Sequence, residues 1–180
     1  MRYVVAITGA SGAVYGVRLL QELRGEKILV MSEVAKSTIP AETEYSVSEV
    51  EAMADVVCED SDMSAPIASG SYEYDAMFVA PCTESSLAKF ACGIADTLVS
   101  RAFACALKEG RRIVLVPRET PKSAIMLENE LKLARLGVVI LDANPGFYSR
   151  PGTVGEVVDF VVGRCLMQVG QKQELFRQWG

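Results

Sequence analysis

The stretch MRYVVAITGASGAVYGVRLL, Met1–Leu20, decides the fold. Its apolar run from Tyr3 to Thr8 predicts a buried strand, and the spacing of apolar residues over 12–23 predicts a helix. Between them lies the turn TGASG, Thr8–Gly12, whose small residues let backbone N–H groups approach an anion at the positive end of the helix. A plain tight turn is the alternative. Ser11 and Val14 stand where a GxGxxG motif has glycine, so a dinucleotide fingerprint is not supported.

The same alternation of strand and helix continues along the chain. Further strands are predicted at 27–31, 76–80, 112–116 and 138–141, and further helices at 85–91, 97–109, 123–136 and 154–169. This order is typical of a three-layer α/β fold with a mostly parallel sheet covered on both faces. No repeat, linker or break in composition divides residues 1–180, so we expect a single domain. The acidic segment 39–63 has no clear pattern.

Composition excludes several classes of protein. No apolar run is long enough to span a membrane, and the N-terminal residues do not resemble a secretory signal. The five cysteines form no CxxC pair, which predicts reduced thiols and a cytoplasmic protein. A net charge of −5 argues against nucleic acid as a partner.

The chain contains no histidine. Histidine general bases, Ser-His and Cys-His nucleophile pairs and most zinc sites are therefore excluded within it, and no metal is expected. Acid–base chemistry must come from Glu, Asp, Lys, Tyr, Cys, a cofactor or the substrate.

The segment LVPRETP, 115–121, places two charged residues at the end of a predicted buried strand. Arg118 is suited to bind a phosphate or the carbonyl-rich edge of a ring with its two-pronged guanidinium. Glu119, if partly buried, would have a raised pKa and could move protons near neutral pH. The alternative is an ordinary internal ion pair between the two.

Two clusters of hydroxyl residues flank the strand predicted at 76–80: Ser69–Ser71 before it and Thr83–Ser86 after it. One hydroxyl of the second cluster is expected to cap a helix, and the others could bind a phosphate or a polar ring edge. The aromatic and basic segment FYSRP, 147–151, contains Tyr148. Its side chain is either a buried anchor or a hydrogen-bond donor to a phosphate.

Taken in order, these segments resemble the UbiX family of flavin prenyltransferases. The matching segments are TGASGAVYGVRLL, ASGS, PCTESSLAKFACGIADTLVSRA, LKEGRRIVLVPRETP, LENELKL, NPGFYSRP and GRCL, which span 8–166. The resemblance implies a flavodoxin-like fold and a homododecamer. It implies transfer of a dimethylallyl group, from dimethylallyl monophosphate or diphosphate, to N5 and C6 of reduced FMN without a metal. The product, prenylated FMN, would serve a UbiD-type decarboxylase.

Residue by residue, the resemblance implies three groups of site residues. The catalytic positions are Ser11 and Glu119. The FMN-binding positions are Gly9, Ala10, Ser11, Ser32, Thr83, Glu84, Ser85, Ser86 and Arg118. The positions expected to bind the prenyl donor are Glu44, Arg101, Lys108, Tyr148, Arg164 and Trp179.

Three residues depart from the pattern common in the family: Glu84 replaces an apolar residue, Ala104 an aspartate and Met126 a histidine. Two rival functions remain open. An FMN-dependent decarboxylase of the cysteine type would need a histidine, which is missing here. A non-catalytic FMN carrier, or an electron-transfer flavodoxin, would not need the donor-binding residues.

Overall fold

The computed structural model describes all residues from Met1 to Gly180. In chain order the elements are β1 (Arg2–Ile7), α1 (Ala13–Glu22), β2 (Glu26–Met31), α2 (Glu33–Glu42), α3 (Val47–Glu51), β3 (Val56–Glu59), β4 (Ala76–Cys82), α4 (Glu84–Cys92), α5 (Leu98–Lys108), β5 (Arg112–Pro117), α6 (Ala124–Arg135), β6 (Val139–Ile140) and α7 (Val154–Gln168), with a 3₁₀ turn at Pro66–Ala68. No helix is both long and apolar enough to cross a membrane.

The six strands form one sheet in the order β3-β2-β1-β4-β5-β6, and every pair is parallel. Without the short edge strand β3, this is the 2-1-3-4-5 order of flavodoxin-like folds; β3 extends it to the order of a dinucleotide-binding fold. The predicted α/β class and parallel sheet are confirmed.

Helices cover both faces of the sheet, and β1 explains why. Tyr3, Val5 and Ile7 of this strand belong to one hydrophobic core, which the helices α1 and α7 cover. Val4 and Ala6 belong to a second core on the other face, which α4, α5 and α6 cover. Since side chains alternate across a strand, a continuous apolar run is what burial on both faces requires.

The segment that lacked a pattern contains the last turn of α2, the whole of α3 and the whole of β3. Helix α2 carries Pro40 inside its last turn, which removes a backbone donor and weakens the helical signal. Strand β3 lies at the sheet edge, where Val56 and Val57 are about two-fifths exposed. At the other edge β6 spans two residues, Val139–Ile140, and is shorter than predicted.

Candidate active site

Strands β2 and β3 follow β1 on one side of the sheet, and β5 and β6 follow β4 on the other side. The strand order therefore reverses between β1 and β4, which makes this pair the switch point of the sheet. In open parallel sheets ligands bind beyond the carboxyl ends of the strands at such a point. Thr8 joins the two turns there, because its hydroxyl donates to the Pro81 carbonyl (2.8 Å) and accepts from the Thr83 N–H (2.9 Å). Thr8 is itself buried, and its two bonds fix the turn after β1 to the turn after β4. These two turns form the floor of the site.

A cavity of about 290 Å³ opens above this floor. Three helices begin at its wall. Ser32, the N-cap of α2, accepts from the Ala35 N–H (3.2 Å), Thr83, the N-cap of α4, accepts from the Ser86 N–H (3.0 Å), and Thr97 is the N-cap of α5. Helix N-termini present unpaired N–H groups and a partial positive charge. The cavity is therefore suited to a phosphate.

Five of the predicted FMN-binding residues line this cavity: Gly9, Ser32, Thr83, Ser85 and Ser86. Glycine is required at position 9, since a Cβ there would lie 2.2 Å from Cγ1 of Val34 in the first turn of α2. Close approach of the backbone to α2 thus depends on a residue without a side chain.

Lys89 supplies a cation to the cavity wall, and its Nζ lies 2.9 Å from Oδ2 of Asp96. The carboxylate of Asp60 accepts from the N–H of Val99 (2.9 Å) at the start of α5. The partial positive charge at the start of α5 is therefore partly neutralised by Asp60. The N-termini of α2 and α4 are the ones left free for a ligand.

Four predicted FMN-binding residues do not line the cavity: Ser11 and Arg118, which lie at the edge of the site, and Glu84 and Ala10. The carboxylate of Glu84 points away and accepts from the hydroxyl of Ser123 (2.9 Å), the N-cap of α6. Ala10 is buried in the turn after β1, where its N–H donates to the Thr8 carbonyl (2.9 Å). The departure at position 84 thus bears on the packing of α4 against α6.

The turn after β1 and the segment after β5 meet at the edge of the site. Nε of Arg118 donates to the carbonyl oxygen of Ser11 across 2.9 Å. Glu119 follows directly and is half-buried, and its Oε1 accepts from the N–H of Thr120 (3.0 Å). Ser11, Arg118 and Glu119 are therefore part of one rim, although the sequence separates them by more than a hundred residues.

Glu42 also belongs to this rim, and sequence reasoning missed it. Its Oε2 accepts from the N–H groups of Gly12 (2.7 Å) and Ala13 (3.1 Å) at the start of α1. Burial alone would raise the pKa of Glu42, but hydrogen bonds from Gly12, Ser11 and Ala13 and the charge of Arg118 together lower it below its usual range. The carboxylate is held ionised against the helix N-terminus.

Glu44, the glutamate expected at this place, is exposed and accepts no hydrogen bond within the protein. The expected position is two residues from the observed one. Sequence reasoning chose Glu44 instead of Glu42 because helix α2 was not predicted. Only the last turn of that helix brings position 42 to the start of α1. No local signal in the sequence distinguishes Glu42 from its neighbour.

Three predicted donor-binding residues lie in the C-terminal part of the chain. Tyr148 packs edge-on against Phe160 (ring centroids 5.7 Å apart) and against Trp179 (5.4 Å). Tyr148 and Trp179 line an open cavity of about 610 Å³ together with Arg150 and Arg177. Arg164 is exposed on α7 and makes no ion pair within the chain.

The two donor-binding residues of α5 lie elsewhere. Nε of Arg101 donates to the carbonyl of Ala68 (2.9 Å), and Lys108, at the end of α5, pairs with Glu109. Lys108 also lies beside Gly70, which precedes β4, and so it is close to the amino ends of the strands. Glu119 lies beyond the carboxyl end of β5, whose six residues span roughly 20 Å.

The thiols near the sheet are not suited to acid–base chemistry. Burial, reinforced by the charge of Glu130, raises the pKa of Cys82 far above its usual range. Burial raises the pKa of Cys165 to about 12. All five cysteines are free. Glu119 and the Ser11 hydroxyl are therefore the rim groups available for proton transfer, and the ionised Glu42 carboxylate lies beside them as a fixed charge.

A switch-point cavity at helix N-termini, rimmed by an arginine and carboxylates, is typical of an α/β protein that binds a phosphate-bearing ligand, and the family of this chain is one of flavoproteins. The sequence model of the Flavoprotein family matches residues 1–166. More specifically, the chain belongs to the UbiX family of flavin prenyltransferases.

Relatives and solved structures agree on this family. The chain is 46% identical over 180 residues to the flavin prenyltransferase UbiX of Thermoplasma acidophilum, covering 99% of this chain and 100% of that one. A dodecameric FMN-dependent UbiX-like decarboxylase of Escherichia coli O157:H7 superimposes with a TM-score of 0.97, at 46% identity and full coverage of both chains. AnUbiX (PadA1), in complex with FMN and dimethylallyl pyrophosphate, gives 0.97 at 44% identity, covering 99% and 97%. The predicted family and fold are confirmed.

Proposed function

We propose that the protein transfers the dimethylallyl group of dimethylallyl monophosphate or diphosphate to N5 and C6 of reduced FMN and releases prenylated FMN. The observation that carries this proposal is the rim made by Ser11, Arg118, Glu119 and Glu42 beside the cavity at the switch point. The complex of the relative AnUbiX with FMN and dimethylallyl pyrophosphate supports it.

The cavity residues are proposed to hold the phosphate of FMN. The N-terminal N–H groups of α2 and α4 supply donors, the hydroxyls of Ser85 and Ser86 add to them, and Lys89 supplies charge. Reduced FMN supplies the nucleophilic ring atoms. Arg118, fixed by its bond to Ser11, lies where a guanidinium can bind a polar ring edge, so it would orient the flavin rather than react.

Glu119 is proposed to move protons at the flavin. The donor loses its phosphate with the electron pair of the C–O bond, and a bond forms to N5, which gives up a proton. Ring closure adds a proton to the alkene and removes one from C6, so one proton in total leaves with the phosphate. Glu119, which is half-buried at the end of β5, is the proposed relay at the flavin, with Ser11 and Glu42 beside it.

The donor phosphate is proposed to be held at a contact between subunits. Lys108 lies near the amino ends of the strands and Glu119 beyond the carboxyl ends, so one chain cannot bring them to the same donor. A neighbouring copy that presents Arg101 and Lys108 would complete the site with the cations that a departing phosphate needs. Tyr148, Arg164 and Trp179 are proposed to contribute from the C-terminal region. The dodecameric E. coli relative supports assembly as a homododecamer.

Decarboxylation is the rival function, because the E. coli relative is described as a decarboxylase. The chain lacks the histidine on which the cysteine-type decarboxylases of this fold were expected to rely, and the thiol of Cys82 is held protonated by burial. These observations favour prenyl transfer. We propose that decarboxylation belongs to the recipient of the product, a UbiD-type enzyme, and that this exchange occurs in the cytoplasm without nucleic acid or membrane.

Substitution of Glu119 separates an enzyme from a flavin carrier. Glu119→Gln should bind FMN with unchanged affinity and lose at least about a hundredfold in prenyl transfer. Glu84→Gln is the matched control, since the Glu84 carboxylate faces Ser123 and not the cavity, and it should retain both properties. Full delivery of flavin to a decarboxylase by Glu119→Gln would instead support a carrier.

A further inference from the structure

The segment that carries Glu119 has an anchor on each side. On one side Arg118 is bonded to the carbonyl of Ser11. On the other side Lys122 is bonded to the carboxylates of Glu130 and Asp142. Glu119 itself contacts no other element by a hydrogen bond, since its only partner is the N–H of Thr120. The position of its carboxylate therefore depends on these two anchors.

We propose that Lys122 is a positioning residue for prenyl transfer: its ion triad with Glu130 and Asp142 fixes the segment 118–121 and thereby sets the place of the Glu119 carboxylate. The proposal rests on the proposed function for its catalytic consequence, but the ordering of the segment can be measured independently.

The Lys122 ammonium contacts both carboxylates of the triad at close range. Nζ of Lys122 donates to Oε2 of Glu130 (3.1 Å) and to Oδ1 of Asp142, and it also faces Oε1 of Glu130 at 2.9 Å as an ion contact without a hydrogen-bonding angle. The Lys122 side chain is 19% exposed and that of Glu130 11%. Burial alone would lower the pKa of Lys122, but the bonds to Asp142 and Glu130 outweigh burial and raise it. The ammonium therefore stays charged.

The triad joins three parts of the fold. Lys122 belongs to the segment between β5 and α6, Glu130 to the middle of α6, and Asp142 to the chain just after β6. The next residue, Ala143, donates its N–H to the carbonyl of Pro117 (3.2 Å). This bond joins the end of β5 to the chain after β6, the part of the fold that also carries Asp142. A shift of the segment would break its contacts to α6 and to the chain after β6 at once.

Stability alone does not explain this arrangement. A partly buried ion triad loses hydration on folding, and replacing all its members by apolar residues often leaves stability unchanged. Hydrogen bonds between charged groups fix an angle and a distance, and contacts between apolar side chains do not. The triad therefore fixes the orientation of the segment. Direction is needed where a carboxylate must be held within a fraction of an ångström, as at Glu119.

The test compares two variants. Lys122→Met alone leaves Glu130 and Asp142 facing each other and is expected to lower the thermal midpoint. The triple variant Lys122→Met, Glu130→Met, Asp142→Asn removes every charge and is expected to keep both the midpoint and the FMN affinity close to those of the unchanged protein. Its prenyl transfer turnover should nevertheless fall by about tenfold to a hundredfold, with little change in KM for the donor.

Two further readouts separate positioning from mere packing. Amide hydrogen exchange of the peptide over 118–123 should be faster in the triple variant and unchanged in Lys122→Arg, which keeps the charge and both acceptors. In a Glu119→Gln background the triple substitution should cause no further loss of turnover, because it acts through Glu119. Unchanged exchange and full turnover in the triple variant would overturn the proposal. If the unchanged protein made no prenylated flavin, the proposed function would fail while the exchange result would still decide whether Lys122 orders the segment.

Discussion

Nε of Arg118 donates to the carbonyl oxygen of Ser11 across 2.9 Å, and this bond ties the turn after β1 to the segment after β5. The two residues lie at the ends of strands separated by β4, which places the bond across the mouth of the switch point. The bond uses one of several guanidinium donors, so others stay available for a ligand. Arg118 can therefore fix the rim and bind a flavin at the same time.

Substitution of Arg118 should weaken flavin binding. Arg118→Met keeps much of the stem but loses a charge-assisted hydrogen bond, so FMN should bind about tenfold to a hundredfold more weakly. Fluorescence titration of FMN measures this directly. Arg112→Met is the matched control, since Arg112 is exposed at the amino end of the same strand. Equal FMN affinity of Arg118→Met and the unchanged protein would remove Arg118 from the site.

The rim glutamate predicts a dependence of stability on pH. Because the folded-state pKa of Glu42 is lowered, its stabilising contribution is present above the unfolded pKa of about 4.3 and is lost as the pH falls through the folded value. Glu42→Gln should therefore lower the free energy of unfolding at pH 7 by about 0.5 kcal/mol, a value reduced for exposure. The difference should shrink as the pH falls below about 4.3 and vanish only below the lowered folded pKa.

Denaturant unfolding at several pH values checks this prediction. Glu44→Gln serves as the control, because the Glu44 carboxylate accepts no hydrogen bond within the protein, and it should follow the unchanged protein throughout. A difference between Glu42→Gln and the unchanged protein that persisted at acid pH would mean that packing, and not charge, explains the contact.

Close packing of α1 on the sheet predicts a large effect at Gly16. A Cβ at this position would lie 2.2 Å from the carbonyl oxygen of Ala80, a backbone atom that cannot move aside cheaply. Gly16→Ala should lower the free energy of unfolding by about 1–3 kcal/mol despite the better helix propensity of alanine.

Gly155→Ala is the matched control for Gly16→Ala. Its nearest neighbour would be the hydroxyl oxygen of Thr153 at 3.7 Å, an ordinary contact, so stability should stay the same or rise slightly. Thermal unfolding of both variants gives the comparison. A Gly16→Ala variant as stable as Gly155→Ala would contradict the close approach of α1 to β4.

Subunit mixing tests whether Lys108 and Glu119 of different chains share a site. Lys108→Ala and Glu119→Gln should each be inactive alone. When the two are unfolded and refolded together, about one quarter of the sites should receive both native residues, and a matching share of activity should return. Refolding each variant alone is the control. No recovery from the mixture, with normal oligomers formed, would mean that both residues act from one chain. Activity of Lys108→Ala refolded alone would mean that Lys108 is not needed.

The sequence was sufficient for the fold because its strands are buried on both faces. Tyr3–Ile7 and Ile113–Val116 are continuous apolar runs, each followed by a helical pattern, and such runs leave little choice of class. Gly137, which follows the helix predicted at 123–136, has a φ of +86°, a conformation that favours glycine after a helix. Strand β3 was missed because an exposed edge strand has no need of an apolar run.

The site was predictable only in part. Residues that follow directly on strands, such as Ser11, Thr83 and Arg118, lie where their place in the pattern put them, because the strand ends of a parallel sheet share one edge. Glu42 depends on the length and direction of α2, and the anchoring of Lys122 depends on two other elements. Contacts of this kind are set by tertiary packing and leave no local signal. Glu84 illustrates the converse, since its neighbours line the cavity while its own side chain turns to Ser123.

The most direct test of the central claim is the mass of the flavin after anaerobic incubation of the pure protein with reduced FMN and dimethylallyl monophosphate, with the diphosphate in parallel. We predict a released flavin heavier by one C5 prenyl unit, formed with at least one of the donors and absent with Glu119→Gln. Unmodified FMN with both donors, from protein that is shown to bind flavin, would contradict prenyl transfer.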